Sequence, residues 1–275
     1  METQLFHIFR NTPLGRETLL QSIFFCNMTG SSLTIYIPEF TKFLMYFDNQ
    51  VVQIDLDNSY LSYPQTALEH AKTLTKEGGV EPGFLVPKNF TASTLPDISV
   101  NFDFMCCPRS ISDITSKIGI GHIGSKVRRI IKTAPFPVII TSPAYREWNR
   151  ITVFFGGSTN AVKALKLGIR IARNTDMPLE VFTQVEGKTT KQHCEEIVQK
   201  ENISKDIEKY VKKWNYFEKD SFEENLYEVS PEALVIMGAF GHGLIKDIFF
   251  GSKMEKIQST LTNNLLIAGP NYSAR

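Results

Sequence analysis

Three glycines and a serine near the end of the chain have the types and spacing of an anion-binding loop. Gly238 and Gly241 follow a short apolar segment typical of a buried strand, and Gly251-Ser252 comes after nine further residues. Glycine lets a backbone approach a phosphate without a Cβ in the way and permits positive φ. Unpaired N–H groups at a helix start, together with the helix dipole, attract anions. The spacing therefore predicts one pocket in which backbone amides bind a polyphosphate group.

Two basic side chains beside these glycines could also contact a phosphate. His242 lies directly after Gly241, and Lys253 follows Ser252. A loop histidine that caps backbone groups and a solvated lysine are the structural alternatives, and turn chemistry alone can explain each glycine. The segment is not a Walker loop, since no Gly-Lys-Ser/Thr follows a four-residue spacer, and it does not match a dinucleotide fingerprint.

The elements that must position this loop alternate between strand and helix. Their β-branched and aromatic runs predict strands at residues 151–155, 179–183, 216–217, 233–237 and 265–267. Capping residues and helical periodicity predict helices after Ser158 or Thr159, over the charged residues 188–213, over 222–229 and after Gly251. Strands separated by helices pair in parallel through right-handed crossovers, so the predicted fold class is α/β with a doubly wound sheet.

The first part of the chain repeats this order. Gly124-Ser125-Lys126 recurs 127 residues later as Gly251-Ser252-Lys253, and residues 30–37 correspond to residues 176–183 at an offset of 146. The elements predicted here are strands at 5–9, 33–37 and 84–86, helices at 13–28 and 64–76, and an extra β segment at 43–57. The extra segment is either a hairpin or an edge strand. The economical interpretation is two related domains, residues 1–145 and 150–275, with about five strands each.

Composition excludes several classes of function. The 275 residues are 42% hydrophobic and carry a net charge of +1, which argues against a non-specific nucleic-acid binder. No apolar run reaches the roughly 18 residues of a membrane span, and the start of the chain lacks the pattern of a secretory leader. We therefore expect a cytoplasmic protein with no membrane and no nucleic-acid partner. The four cysteines predict neither a disulfide framework nor a metal site, and Cys106-Cys107 is predicted to lie in a buried strand.

The loop motif resembles that of the universal stress protein family. The pattern Gly238-x2-Gly241-x9-Gly251-Ser252 is similar to the family's nucleotide loop, and residues 153–158 resemble its first βα turn. With the internal repeat, the whole chain is similar to a tandem universal stress protein. The resemblance implies two five-stranded parallel units related by a pseudo-twofold and paired through their last strands.

The same resemblance implies a ligand and the residues that bind it. Many members bind ATP, with or without Mg²⁺, with the phosphates on the glycine loop. Carried over by position, the nucleotide site comprises Gly156, Gly157, Val185 (facing adenine), Gly238, Gly241, His242, Gly251, Ser252 and Lys253.

Two departures from the family pattern affect these expectations. Gly156 stands where nucleotide-binding members carry an aspartate, so a carboxylate for the nucleoside end is missing. In the first half, Ile111 and Ile114 replace the loop glycines and Pro108-Arg109 replaces the first glycine after the strand. The first half is therefore predicted to have lost the phosphate loop and to act as a structural partner, with at most a small anion site at Gly124.

These observations predict a stress-response regulatory protein that binds ATP or a related adenine nucleotide and acts on an unidentified protein partner. The alternative is a tandem scaffold or interaction protein that binds no nucleotide. No catalytic triad or acidic pair is recognisable, so we expect no dedicated enzyme activity and at most slow ATP hydrolysis. The chain is expected to be a monomer acting as a pseudo-dimer, or a homodimer.

Overall fold

The computed structural model describes residues 3–47, 50–87, 95–99, 101–109, 111, 123–239 and 261–273. The strands are β1 (Gln4–Ile8), β2 (Ser32–Tyr36), β3 (Lys42–Phe47), β4 (Gln50–Asp55), β5 (Pro82–Phe84), β6 (Asp97–Ser99), β7 (Phe104–Cys107), β8 (Val138–Ile140), β9 (Arg150–Phe154), β10 (Leu179–Gln184), β11 (Val211–Phe217), β12 (Ala233–Gly238) and β13 (Leu265–Ala268). The helices are α1 (Pro13–Thr29), α2 (Pro64–Glu77), α3 (Ser125–Thr133), α4 (Thr159–Thr175), α5 (Lys191–Lys200), α6 (Ser204–Tyr210) and α7 (Phe222–Asn225). Short 3₁₀ turns lie at Asn58–Leu61 and Leu226–Glu228.

Ten strands form one sheet in the order β11-β10-β9-β12-β13-β8-β7-β1-β2-β5. Within the described strands of this sheet, all neighbours pair in parallel except β8 and β13, which are antiparallel with Ile139 opposite Leu266. Counted outward from that pair, the strands follow the same order in both halves: β13-β12-β9-β10-β11 in the second and β8-β7-β1-β2-β5 in the first. In each half this is the last of the five strands, then the fourth, first, second and third. The predicted doubly wound α/β fold, and its pairing through the last strand of each half, are thus confirmed. The boundaries at residues 145 and 150 stay a prediction.

The first βα unit is matched closely between the two halves. Helices α1 and α4 begin at residues 13 and 159 and end at 29 and 175, an offset of 146 at both ends. The hydroxyls of Thr12 and Ser158 cap them by accepting from the backbone N–H three residues on. Both helices end at a left-handed residue, Gly30 with φ 68° and Asp176 with φ 55°. The offset read from the sequence therefore relates equivalent positions in the two halves.

The extra segment of the first half is a hairpin. Strands β3 and β4 pair antiparallel, and β6 joins β3 in parallel, which makes a separate three-stranded sheet. The alternating residues Phe43, Met45, Val52 and Ile54 are buried in the same apolar cluster as one face of the main sheet. This resolves the choice between hairpin and edge strand, because the hairpin covers the first half rather than extending its sheet.

Buried side chains line both faces of the main sheet. Along β7, Cys106 and Cys107 point into opposite clusters and are each 1% exposed, which confirms the predicted buried strand. Burial raises the pKa of the Cys106 thiol to about 12, so this thiol stays protonated at neutral pH. Among the described residues, no group of histidine, cysteine and acidic side chains is placed to hold a metal ion. No helix in the described ranges is long and apolar enough to cross a membrane.

Two element predictions are wrong. The charged stretch 188–213 is not one helix, because Asn202, with a φ of 55°, separates α5 from α6, and strand β11 already begins at Val211. Lys213 pairs opposite Glu180 of β10, and this non-local pairing outweighs the local helix propensity of a lysine-rich segment. The strand predicted at 84–86 is observed at Pro82–Phe84 instead, and Val86 beyond it is exposed. The helix predicted after Gly251 lies outside the described residues.

Candidate functional site

The strand order of the second half reverses between β9 and β12. From β9 the chain proceeds outward to β10 and β11 and then returns to form β12 on the other side. Gly156 and Gly157 follow β9, Gly238 is the last residue of β12, and Met237 lies beside Phe154 in the register. Open α/β sheets bind ligands at such a reversal, outside the carboxyl ends of the strands. The structure thus brings two of the predicted glycine segments to one edge.

Gly238 has a packing role that its place in the loop motif does not reveal. A Cβ at this residue would lie 2.3 Å from the backbone carbonyl of Asn160 and 2.8 Å from the nitrogen of Ala161. The end of β12 therefore packs directly on the first turn of α4. The Asn160 side-chain amide donates to the Ala239 carbonyl at 2.5 Å and fixes this contact. Close backbone packing alone requires glycine here.

Gly157 lies at the opposite side of the same edge, under helix α5. Its φ is 73°, a left-handed value that favours glycine. A Cβ would lie 3.1 Å from Ile197 Cδ1 and 3.4 Å from His193 Cδ2. His193 is half-exposed and could donate to a ligand at this edge. The sequence carries no signal for such a role, because only the packing of α5 over the βα turn brings His193 to this edge.

Val185, predicted to face adenine, continues the pairing of β10 with β11. Its N–H donates to the Phe217 carbonyl at 2.8 Å. A base at this position would therefore have only the Val185 carbonyl as a backbone hydrogen-bond partner on this residue. The preceding Gln184 accepts from the Asn225 amide at 2.8 Å, which fastens this strand end to α7. The remaining predicted site residues, Gly241, His242, Gly251, Ser252 and Lys253, lie outside the described residues.

The corresponding edge of the first half is occupied by the chain's own side chains. Arg10 stands at the position equivalent to Gly156 and pairs with Asp57, with Nη2 and Oδ2 3.1 Å apart. Its guanidinium also lies over the Tyr60 ring, 5.2 Å from the centroid. The missing glycines predict that this half lacks the phosphate loop. The side chains that fill the edge were not predicted.

A second ion pair ties the hairpin to this edge. Lys126, which the sequence repeat relates to Lys253, donates to the Asp55 carboxylate at the end of β4. The hydrogen bond from Lys126, followed by a weaker one from Gln53, lowers the pKa of Asp55. Asp55 at the end of the hairpin and Asp57 just after it therefore neutralise Lys126 and Arg10 at this edge of the first half.

Comparison with known proteins decides the fold family. No protein-family model matches the chain. A universal stress protein of Synechocystis sp. is 23% identical over 219 residues, which cover 76% of this chain and 73% of that protein. The crystal structure of a universal stress protein from Archaeoglobus fulgidus matches with a TM-score of 0.63 at 13% identity, covering 97% of this chain and 98% of that one. The chain has the universal stress protein fold.

The resemblance to universal stress proteins stated from the loop motif is thereby confirmed. The same fold occurs in the cytoplasmic domain of a prokaryotic cation chloride cotransporter, with a TM-score of 0.51, 8% identity and coverage of 98% and 96% of the two chains. The universal stress protein fold is therefore not confined to proteins with that name. Function has to be argued from the residues at the site.

Proposed function

We propose that this chain is a stress-response regulatory protein that binds ATP or a related adenine nucleotide in its second half. The observation that carries the proposal is the meeting of the βα turn at Gly157, the end of β12 and the first turn of α4 where the strand order reverses. The similarity to a universal stress protein along most of the chain supports the stress-response role. The repeated strand order supports two such units in one chain.

The described residues suit the phosphate end of a nucleotide better than its nucleoside end. Gly157 holds the βα turn in a left-handed conformation with φ 73°, and helix α4 starts two residues later with its positive dipole end at this edge. At the nucleoside end Gly156 supplies no carboxylate, and the Val185 N–H is already bonded to Phe217. We therefore expect ATP and ADP to bind more tightly than adenosine.

The proposed role requires binding and no chemical step. A bound nucleotide would change the charge and shape of the carboxyl edge of the sheet. A protein partner that recognises this edge would then bind the two states with different affinity, and that difference is what makes the ligand regulatory.

A scaffold that binds no nucleotide is the second candidate. Two observations favour it. The glycine at residue 238 is accounted for by its contact with Asn160, and the backbone N–H of Val185 is accounted for by its bond to Phe217. A protein that kept this fold without binding a nucleotide would still need glycine at residue 238 and the backbone hydrogen bond at residue 185.

Calorimetric titration with ATP, ADP and adenosine separates the two candidates. The discriminating variant is Ser252→Asp, which places a like charge beside the phosphates and should weaken ATP binding by about tenfold or more. The matched control is Ser125→Asp, the same change at the equivalent helix start of the first half, where the residue is exposed and should leave affinity unchanged. Absence of ATP binding at about 1 mM to the unsubstituted protein would favour the scaffold.

A further inference from the structure

A cavity of about 200 Å³ opens in the first half, at the carboxyl ends of β2 and β5. Arg10, Asp57 and Tyr60 fill the edge on the β1 side of β2, and the cavity lies on the other side of β2. It is therefore separate from the nucleotide position proposed for the second half, and from the filled equivalent of that position in the first half.

The walls of the cavity are mainly apolar. They include Ile37, Leu85, Phe40 and Val86, and the last two side chains are 55% and 81% exposed. Such exposure of two large apolar side chains beside one concavity is typical of a binding surface. An engineered apolar cavity of about 150 Å³ accepts benzene, so this space suits one aromatic ring with a short substituent.

Two polar groups give the cavity a chemical preference. Tyr36 lines it and is 1% exposed, and its buried hydroxyl has no hydrogen-bond partner within the part of the chain that the structure describes. Buried hydroxyls are nearly always paired, so this one is available to a hydrogen-bonding ligand in the cavity. The Glu39 carboxylate lies at the exposed rim, and among the described residues no lysine or arginine pairs with it.

These groups are close enough to influence each other. Burial, and to a smaller extent the charge of Glu39, raise the pKa of Tyr36 to about 12. The phenol therefore remains protonated at neutral pH and can both donate a hydrogen bond and accept one. A neighbouring carboxylate favours a cation and disfavours an anion in the same space.

We propose that this cavity binds a small arylalkyl amine. The ring would lie against Phe40, Leu85 and Val86, and the ammonium group would donate to the Glu39 carboxylate and the Tyr36 hydroxyl. The ligand is thus a cation, whereas the nucleotide proposed for the second half is an anion. The inference does not depend on the nucleotide proposal.

Phenethylamine is the probe for calorimetric and saturation-transfer NMR titration of the whole chain. We expect a Kd of about 1 mM or tighter, given the size of the ligand. Phenylacetate, which reverses the charge on the same ring, should bind at least tenfold more weakly. Equal binding of the two, or no saturation by phenethylamine at about 10 mM, would overturn the proposal.

Two variants assign the contacts. Glu39→Gln should weaken phenethylamine binding about tenfold while leaving the neutral analogue 2-phenylethanol unaffected, because only the charge is removed. Tyr36→Phe keeps the buried ring and should weaken both compounds by several-fold. Glu69→Gln, on the exposed face of α2, makes the same change in net charge and should have no effect. An unchanged affinity in Glu39→Gln would refute the assigned cation site.

Discussion

Replacing Gly238 by alanine tests whether this glycine is required by packing. The new Cβ would lie 2.3 Å from the Asn160 carbonyl carbon and oxygen, about 1 Å inside ordinary contact distance. Both atoms belong to the backbone of the first turn of α4, which is held by the Ser158 cap and the Asn160–Ala239 hydrogen bond. Because no side chain can rotate away, we expect the free energy of unfolding to fall by about 3 kcal/mol.

Two other glycines provide matched controls in urea denaturation. At Gly168 a Cβ would also lie 2.3 Å from its nearest neighbour, but that atom is a methyl group of Val153, and alanine in a helix interior gains about 1 kcal/mol in propensity. The net loss for Gly168→Ala should be about 1 kcal/mol or less. At Gly83 the nearest atom is 3.7 Å away, so Gly83→Ala should change stability by about 0.5 kcal/mol at most. A Gly238→Ala loss no larger than that of Gly168→Ala would contradict the backbone-contact argument.

Three further predictions concern buried and partly buried side chains. Burial lowers the pKa of His7 from 6.5 to about 3, so only the unfolded chain gains this proton as the pH falls below 6.5. Stability should decrease by up to about 1.4 kcal/mol per pH unit over that window, and the decrease should be smaller in His7→Gln in urea titrations at successive pH values. The pKa of Asp55 is lowered in the folded chain, so its carboxylate stabilises the fold above the ordinary aspartate pKa, and this stabilisation is lost as the pH falls through the folded pKa. In Asp55→Asn the free energy of unfolding should therefore depend less on pH, but only in that more acidic range. The same pH dependence in both proteins at acidic pH would argue against the Lys126 contact. Trp148 is buried against Phe24 and Phe25. In urea unfolding, Trp148→Ala should lower the free energy of unfolding by about 3–5 kcal/mol, and Trp148→Phe should lower it much less.

Much of the architecture is predictable because its signals are local. The caps at Thr12 and Ser158 and the left-handed residues Gly30 and Asp176 mark both ends of two long helices, and the helices lie where periodicity places them. The buried strands likewise follow from their apolar runs. For β11 the sequence predicts only the end, residues 216–217, because the pairing of its earlier residues with β10 is a contact between distant parts of the chain.

The candidate site is predictable only in part, for the same reason. The sequence identifies the glycine at 238 but not its contact with Asn160, since the strand end and the helix start meet only in three dimensions. The placement of His193 over Gly157 and of Asp57 beside Arg10 also depends on how separate elements pack. Spacing along a chain indicates which residues leave a strand, but not which groups from elsewhere meet them.

The antiparallel pair of β8 and β13 constrains how copies of this chain can assemble. Both strands are hydrogen-bonded on both edges: they pair with each other, β8 also pairs with β7, and β13 also pairs with β12. In the described sheet, open edges remain only at β11 and β5. At β11 the exposed Lys212 and Lys213 disfavour the addition of another strand. At β5, which has only three residues, Pro82 disfavours it because proline lacks an N–H. Strand addition to the ten-stranded sheet is therefore disfavoured at both of its described edges.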